Sequence, residues 1–258
     1  MSGSAAAALQ YKSKESGAGR FTDFMLPPLT FYEFITMQNL SHLLSSTSLQ
    51  WGENPARFFR AIDIQQLNKH FLAYINFGGY PEAIFSEAVR SNPERFIRND
   101  VIEKVLLRDL PSLYGITDVQ ELNALFTTIA YNTSNEFSLE NLSQQSGIQK
   151  HTIKKYLEYL EASFLVKIVR RIDQAGKKFQ RDNFFKIYLT NPSIRAALFA
   201  SLQPLDEAMG AMTETAIFAQ WMHRTSFTPW YARWNNGEVD MVGLSGKTLQ
   251  PVWALEIK

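Results

Sequence analysis

Helical spacing of apolar residues dominates the middle of the chain. It is clearest in residues 63–77 and 148–163, where apolar positions recur every three or four residues: Ile64, Leu67, Phe71, Leu72 and Ile75 in the first, and Ile153, Tyr156, Leu157 and Leu160 in the second. Upstream, Thr30 followed by Glu33 forms a capping box, and Asn92 followed by Pro93 marks a further helix start. The pattern predicts a mainly α-helical protein as far as residue 162.

Residues 118–190 follow a recognisable order. A helix over residues 118–133 precedes a short helix that Ser138 caps and Gly147 ends, and the amphipathic helix 148–163 comes third. Two β-like runs follow, separated by the turn 173–176. Three helices and a β-hairpin in this order predict a winged helix-turn-helix.

The flanking segments predict other structures. Residues 45–60 begin with a run of serine and threonine, contain Gly52 and Pro55, and predict a polar loop. Helices are expected over residues 192–200 and 206–225, followed by strands over residues 228–234, 237–244 and 251–258. A long helix followed by short strands is typical of an α/β unit, so the fold class is mainly α with an α/β C-terminal part.

Composition narrows the classes of function. The 258 residues carry a formal net charge of +1 and no cysteine, which excludes disulfides, thiolate metal sites and a globally basic surface. No stretch reaches the roughly 18 apolar residues of a membrane span, so we expect a cytoplasmic protein without a membrane partner. The sequence contains no phosphate-binding P-loop motif, and its four histidines form no zinc-ligand pair.

Basic residues cluster on the third helix and the hairpin of the predicted winged helix. They are Lys150, His151, Lys154 and Lys155 on the helix, with Arg170, Arg171, Lys177, Lys178 and Arg181 on the hairpin. Cations on a recognition helix and a wing are suited to phosphate contacts with double-stranded DNA. The alternative is a solvated face used for packing against another protein, and the sequence leaves both open.

Acidic residues near the C-terminus suggest a metal site. Asp240 and Glu256 are the candidate ligands of a divalent cation such as Mg²⁺, with Glu214 as a further carboxylate and Lys258 beside the attacking water. The alternative is a strand pair whose polar residues face solvent. Against it, both strands contain consecutive apolar residues and are therefore apolar on both faces, as in a sheet covered on both sides.

Several motifs occur in an order that resembles one family. They are "GRFTDFMLPPLTFYEF", "FLAYINFGGYPEAI", "VIEKVLLRDL" and "YARWNNGEVDMV" followed by "ALEIK". The chain resembles the prokaryotic AAA-family ATPases that carry a winged helix and a PD-(D/E)xK nuclease-like domain in their C-terminal half. One departure is "YLTNPSIRAAL", where the family pattern has Asp and Gly after the strand.

The resemblance implies a domain arrangement. Residues 1–45 would be the tail of an ATPase core, 46–115 a helical lid-like region, 116–191 the winged helix, and 192–258 the nuclease-like domain. Arg20 would be an arginine-finger-like residue, and Glu214, Asp240, Glu256 and Lys258 would fall on the nuclease-like positions. The P-loop core that binds ATP and Mg²⁺ would lie upstream, and the nuclease-like sheet would be cut at its third strand.

Three functional hypotheses follow from the sequence. The chain is the C-terminal portion of a DNA-associated ATPase, or a metal-dependent nuclease that uses Asp240, Glu256 and Lys258. Otherwise it is a non-catalytic domain for protein interaction or self-association, built on a degenerate nuclease fold, because a fold does not imply its function.

Overall fold

A computed structural model describes residues 26–51, 54–172, 184–223 and 228–257. The first helix, α1 (Phe31–Met37), begins with the predicted capping box. The Thr30 hydroxyl accepts a hydrogen bond from the Glu33 amide at 3.2 Å, and the Glu33 carboxylate accepts one from the Thr30 amide at 2.7 Å. These bonds satisfy backbone donors that a helix start otherwise leaves unpaired, which fixes where α1 begins.

A β-hairpin follows α1 where the sequence predicted a polar loop. Strands β1 (Leu44–Trp51) and β2 (Asn54–Ala61) are antiparallel, with Leu44 opposite Ala61. The prediction for residues 45–60 was wrong because serine and proline were taken as loop signals. Cross-strand pairing satisfies the backbone of a polar segment equally well, and threonine and phenylalanine at paired positions favour strands.

Short helices build the region between the hairpin and residue 115. They are α2 (Ile64–Ala73), α3 (Pro81–Phe85), α4 (Glu87–Arg90), α5 (Pro93–Phe96) and α6 (Leu110–Tyr114). A π-helical turn, Tyr74–Gly78, extends α2, and the turns Ile97–Glu103 and Val105–Asp109 lie between α5 and α6. The Asn92 cap is confirmed, because its side-chain oxygen accepts from the Arg95 amide at 3.1 Å. This region, which follows the hairpin, is helical as predicted.

The next segment forms the three helices and two hairpin strands that the sequence predicted, in the predicted order, together with a short strand over residues 136–137 that it did not predict. They are α7 (Val119–Tyr131), β3 (Glu136–Phe137), α8 (Leu139–Ser146), α9 (Lys150–Ala162), β4 (Val166–Ile172) and β5 (Phe185–Leu189). Ser138 caps α8, and Gly147 ends it with φ +73°. Ile153, Tyr156, Leu157 and Leu160 of α9 are buried in the core, so the helical periodicity correctly identified the packed face.

The C-terminal part contains two helices and three strands. They are α10 (Ser193–Phe199), α11 (Met209–Gln220), β6 (Trp230–Trp234), β7 (Gly237–Leu244) and β8 (Pro251–Leu255). The expectation of two fully covered strands holds for the middle of β7, where Met241 and Val242 are buried. It was wrong for β8, where Val252 is 62% exposed, because β8 is the last strand of its sheet among the described residues.

One six-stranded sheet joins these two parts. Its order is β3-β5-β4-β6-β7-β8, and all neighbours are antiparallel except β4 and β6. The parallel pair places Arg170 opposite Trp230 and Ile172 opposite Ala232. The sheet therefore runs across the predicted boundary between residues 191 and 192. The protein is a mixed α and β structure, and within its described part no helix is long and apolar enough to cross a bilayer.

Candidate functional site

A buried lysine forms the centre of the site. Lys186 lies on β5, where its neighbours Phe185 and Ile187 are buried, and its own side chain is only 3% exposed. An ammonium group in such surroundings is costly unless acidic groups surround it. Helix α11 and strand β7 supply those groups.

Three carboxylates surround the Lys186 ammonium. Its Nζ lies 2.8 Å from Oε1 of Glu214 on α11 and 3.3 Å from Oδ1 of Asp240 on β7, and it also pairs with Glu238 on β7. Glu238 and Asp240 are two residues apart on one strand, so both side chains face the same side of the sheet. We call Lys186, Glu214, Glu238 and Asp240 the lysine–acid cluster.

Neighbouring groups fix the orientation of the carboxylates. The Tyr188 hydroxyl donates to Oε1 of Glu214 at 2.5 Å, and the backbone amide of Ile257 donates to Oδ2 of Asp240 at 2.9 Å. Nε of Arg233 on β6 lies 3.6 Å from Oε2 of Glu238. The carboxylates are therefore held by hydrogen bonds and ion pairs from β5, β6 and the residues after β8.

The surroundings of the cluster shift its ionisation. Burial alone would lower the pKa of Lys186, but Glu214 and Glu238 outweigh it, and the pKa is raised. Burial raises the pKa of Glu214, and its contacts with Lys186 and Tyr188 offset part of that rise. Burial beside Glu214 also raises the pKa of the Tyr188 phenol, so that hydroxyl remains a donor. The lysine stays charged at neutral pH.

The geometry allows a direct test of whether a divalent cation fits. One oxygen from each of Glu214, Glu238 and Asp240 lies within 4.8 Å of the others, and hard oxygen ligands suit Mg²⁺. The Lys186 ammonium, however, contacts all three carboxylates and takes the position that a cation would need. In this conformation the residues therefore hold an ammonium and do not fit a metal ion.

The structure brings together some of the predicted nuclease-like residues. Glu214 and Asp240 meet in the cluster, whereas Glu256 is exposed and lies outside the group of three carboxylates. Lys258 and Arg20 lie outside the described residues. Lys186 and Glu238 were not among the predicted site residues, although a lysine inside the apolar run "FFKIYL" and an acid two positions before Asp240 are visible in the sequence.

Only some of the predicted basic residues lie in the part of the chain that the structure describes. Lys150, His151, Lys154 and Lys155 of α9 are all exposed, and Lys150 pairs with Glu140 of α8. On β4, Arg170 is exposed. The remaining predicted hairpin cations, Lys177, Lys178 and Arg181, lie outside the described residues.

Arg171 has a role within the sheet. Its guanidinium lies 3.7 Å from the Glu136 carboxylate and donates to the Arg233 carbonyl at 2.7 Å. Glu136 also accepts a hydrogen bond from the Tyr231 hydroxyl at 2.7 Å. Arg171 therefore links β4 to β3 and β6 within the sheet, and its predicted contact with phosphate stays a prediction.

Comparison with known proteins places the chain in a family. A family described as a domain of unknown function, DUF8612, matches residues 68–206. The chain belongs to the DUF8612 family. The match includes α7 to α9 and Lys186, and it ends before the three acids of the cluster.

Two relatives are both described as uncharacterised proteins. MJ1544 of Methanocaldococcus jannaschii is 22% identical over 251 residues, which cover 94% of this chain and 52% of the relative. A Haemophilus influenzae protein is 22% identical over 183 residues, 69% of this chain and 40% of the relative. This DUF8612 chain thus spans about half the length of the curated relatives it matches, and no solved structure matches it.

Proposed function

We propose that the chain binds duplex DNA through a winged helix-turn-helix formed by residues 118–190. The support is topological. Helix α7, strand β3, helices α8 and α9 and the β4–β5 hairpin follow the winged-helix order, and the three strands pair as β3-β5-β4. In this arrangement α9 is the recognition helix, and β4 and β5 are the strands of the wing.

The exposed face of α9 carries the proposal. Lys154 and Lys155 make no ion pair with another described residue, and His151 lies on the same exposed surface. Lys150 is partly neutralised by Glu140, and Glu158 adds a negative charge farther along the helix. Two or three available cations suit sequence-independent phosphate contacts, which account for most non-specific DNA affinity.

A salt series tests the DNA contact. The affinity of the 258-residue chain for a fluorescent duplex should fall as salt rises, and Lys154→Glu with Lys155→Glu should reduce the slope of log affinity against log salt by about 2. The control is Lys69→Glu with Lys247→Glu, an equal charge change at exposed lysines elsewhere. Equal losses in both double variants, or binding that does not respond to salt, would refute the proposal.

The wider role that we propose rests on the resemblance. The DNA-contacting residues would work with a P-loop core that binds ATP and Mg²⁺ and lies outside these 258 residues. The resemblance also assigns Arg20 to the nucleotide side of that core. A protein that includes the core should hydrolyse ATP, and duplex DNA should change that rate. If Lys154→Glu with Lys155→Glu leaves the effect of duplex DNA on the rate of ATP hydrolysis unchanged, α9 is not the surface through which DNA acts on the ATPase core.

A second candidate function is metal-dependent cleavage of nucleic acid at the lysine–acid cluster. The observation that favours it is the convergence of Glu214, Glu238 and Asp240 from a helix and a strand. Against it stands the Lys186 ammonium between them. Incubation with plasmid and Mn²⁺ decides the matter. Cleavage that Asp240→Asn abolishes would support a nuclease, and equal nicking by both proteins would mean a non-catalytic ion cluster.

A further inference from the structure

An arginine on α10 lies against two aromatic rings at the end of α7. Arg195 and Phe199 are four residues apart on α10, so their side chains lie on the same face of that helix. Tyr131 is the last residue of α7, and its ring meets the Phe199 ring edge to face, with centroids 5.3 Å apart. The Arg195 guanidinium lies over both rings, 5.5 Å from each centroid. We call these three residues the arginine–aromatic group.

The three side chains of this group differ in how far they are exposed. Arg195 is only 8% exposed, whereas Phe199 is 37% and Tyr131 is 61% exposed. The rings therefore hold the guanidinium close to the protein and remain accessible to a partner themselves. Tyrosine and arginine are the residue types that most often dominate the binding energy of a protein interface.

The charge of Arg195 is not matched by an acid within the described chain. Its guanidinium makes no ion pair and no side-chain hydrogen bond there, and burial lowers its pKa. Asp206 acts on it from a distance, but Oδ2 of Asp206 accepts a hydrogen bond from the Gln203 amide at 2.8 Å. Arginine stays charged in proteins, and a buried charge is costly unless it is paired. The contacts with the two rings offset part of that cost and leave the N–H donors without an acceptor.

We infer that the arginine–aromatic group is a docking site for an acidic segment of a partner protein. A carboxylate of that segment would accept two parallel hydrogen bonds from the planar Arg195 guanidinium. Apolar side chains beside the acid would pack on the exposed rings of Tyr131 and Phe199. One cation with Asp206 nearby suits a single carboxylate better than a nucleic acid, because successive phosphates would be repelled by that acid. The inference is independent of the proposed DNA contact, which uses α9.

Two peptide libraries test the requirement for a carboxylate. In both, random residues flank one central position, which is glutamate in the first library and glutamine in the second. The immobilised 258-residue chain should retain the glutamate library about tenfold better, because only glutamate forms the charged pair with Arg195. Arg195→Gln should remove this preference. The control is Arg108→Gln, an equal charge change at an exposed arginine before α6, which should keep the preference.

An exposed aromatic residue gives a second measurement, because replacing the buried Arg195 also perturbs packing. For a peptide selected from the glutamate library, Tyr131→Ala should raise the Kd about tenfold. Phe85→Ala removes another ring, which is 66% exposed on α3, and should leave the Kd within about twofold. Circular dichroism verifies that the variants fold. If Arg195→Gln does not fold, the comparison of Tyr131→Ala with Phe85→Ala decides alone.

Several results would overturn the inference. Equal retention of the two libraries would show that no carboxylate is recognised, and an unchanged Kd in Tyr131→Ala would exclude the exposed ring. Displacement of the selected peptide by an equal concentration of single-stranded oligothymidylate would assign the site to nucleic acid. A wild-type dimer in analytical ultracentrifugation that Tyr131→Ala dissociates would assign it to a second copy of this chain. Either assignment would replace the acidic partner proposed for this surface.

Discussion

Replacing Lys186 with methionine should destabilise the fold strongly. Methionine keeps the length of the side chain and removes the ammonium, leaving Glu214, Glu238 and Asp240 facing one another without a cation. Removing one partner of a buried ion pair typically costs about 3–5 kcal/mol. The carboxylate side chains are 14% to 29% exposed, and water can reach them, so we expect the lower end, about 3 kcal/mol.

Urea denaturation followed by circular dichroism measures this effect. With an m-value of about 3 kcal/mol per molar urea, a loss of 3 kcal/mol moves the midpoint down by about 1 M. The matched control is Lys104→Met, because Lys104 pairs with Asp100 at 3.0 Å on the surface with both side chains about half exposed. Exposed pairs of this kind contribute less than about 1 kcal/mol. Similar midpoints for the two variants would refute the central role of Lys186.

The same variant also distinguishes an ammonium site from a metal site. Without Lys186, the three carboxylates are free to bind Mn²⁺, and bound cation stabilises the fold by about 2.7 kcal/mol at 100 times its Kd. We therefore expect Mn²⁺ to raise the unfolding midpoint of Lys186→Met and to leave that of the wild type unchanged. Equal stabilisation of both proteins would show that the ammonium does not compete with a cation.

Three further predictions concern packing, capping and pH. Gly79→Ala should lower the free energy of unfolding by about 1–3 kcal/mol, because the Cβ of the new alanine would lie 2.2 Å from the buried Asn191 side chain. Thermal denaturation measures this loss. Ser138→Ala should cost about 1 kcal/mol in the same assay, since the Asn141 amide loses its acceptor at 3.1 Å, and an unchanged melting temperature would contradict the cap. Because the folded protein raises the pKa of Lys186, its contribution is complete below the ordinary value of 10.5 and is lost as pH rises through the raised pKa. The stability difference between wild type and Lys186→Met should therefore shrink above about pH 10.5 in urea titrations, and a constant gap would exclude this linkage.

Local signals made much of the helical part predictable. Ser138, Gly147 and the apolar face of α9 act through contacts within a few residues, so spacing alone located α8 and α9. The hairpin at residues 44–61 was missed because serine and proline favour both loops and edge strands. Its stability depends on the distant Tyr32 contact, which no local pattern reports.

The candidate site was only partly predictable for a similar reason. Asp240 was named because an ionised group in an apolar strand is costly, and Glu214 as a further carboxylate on the preceding helix, but their partner Lys186 is 54 residues from Asp240 in sequence. The pairing of β4 with β6, which brings the two regions together, joins residues about 60 apart and has no local sequence signal. Prediction failed where the three-dimensional arrangement depends on such long-range pairing.

The parallel pairing of β4 with β6 has a consequence for how the molecule unfolds. Strand β4 packs beneath α9, and its far edge is hydrogen-bonded to the strand that leads to Glu238 and Asp240. Detaching the C-terminal strands would leave the backbone groups on one edge of β4 without partners and would remove Glu238 and Asp240 from the Lys186 ammonium. The amides of β4, β5 and β7 should therefore exchange with solvent in one cooperative opening, and α9 and the acid cluster should lose their structure in a single transition.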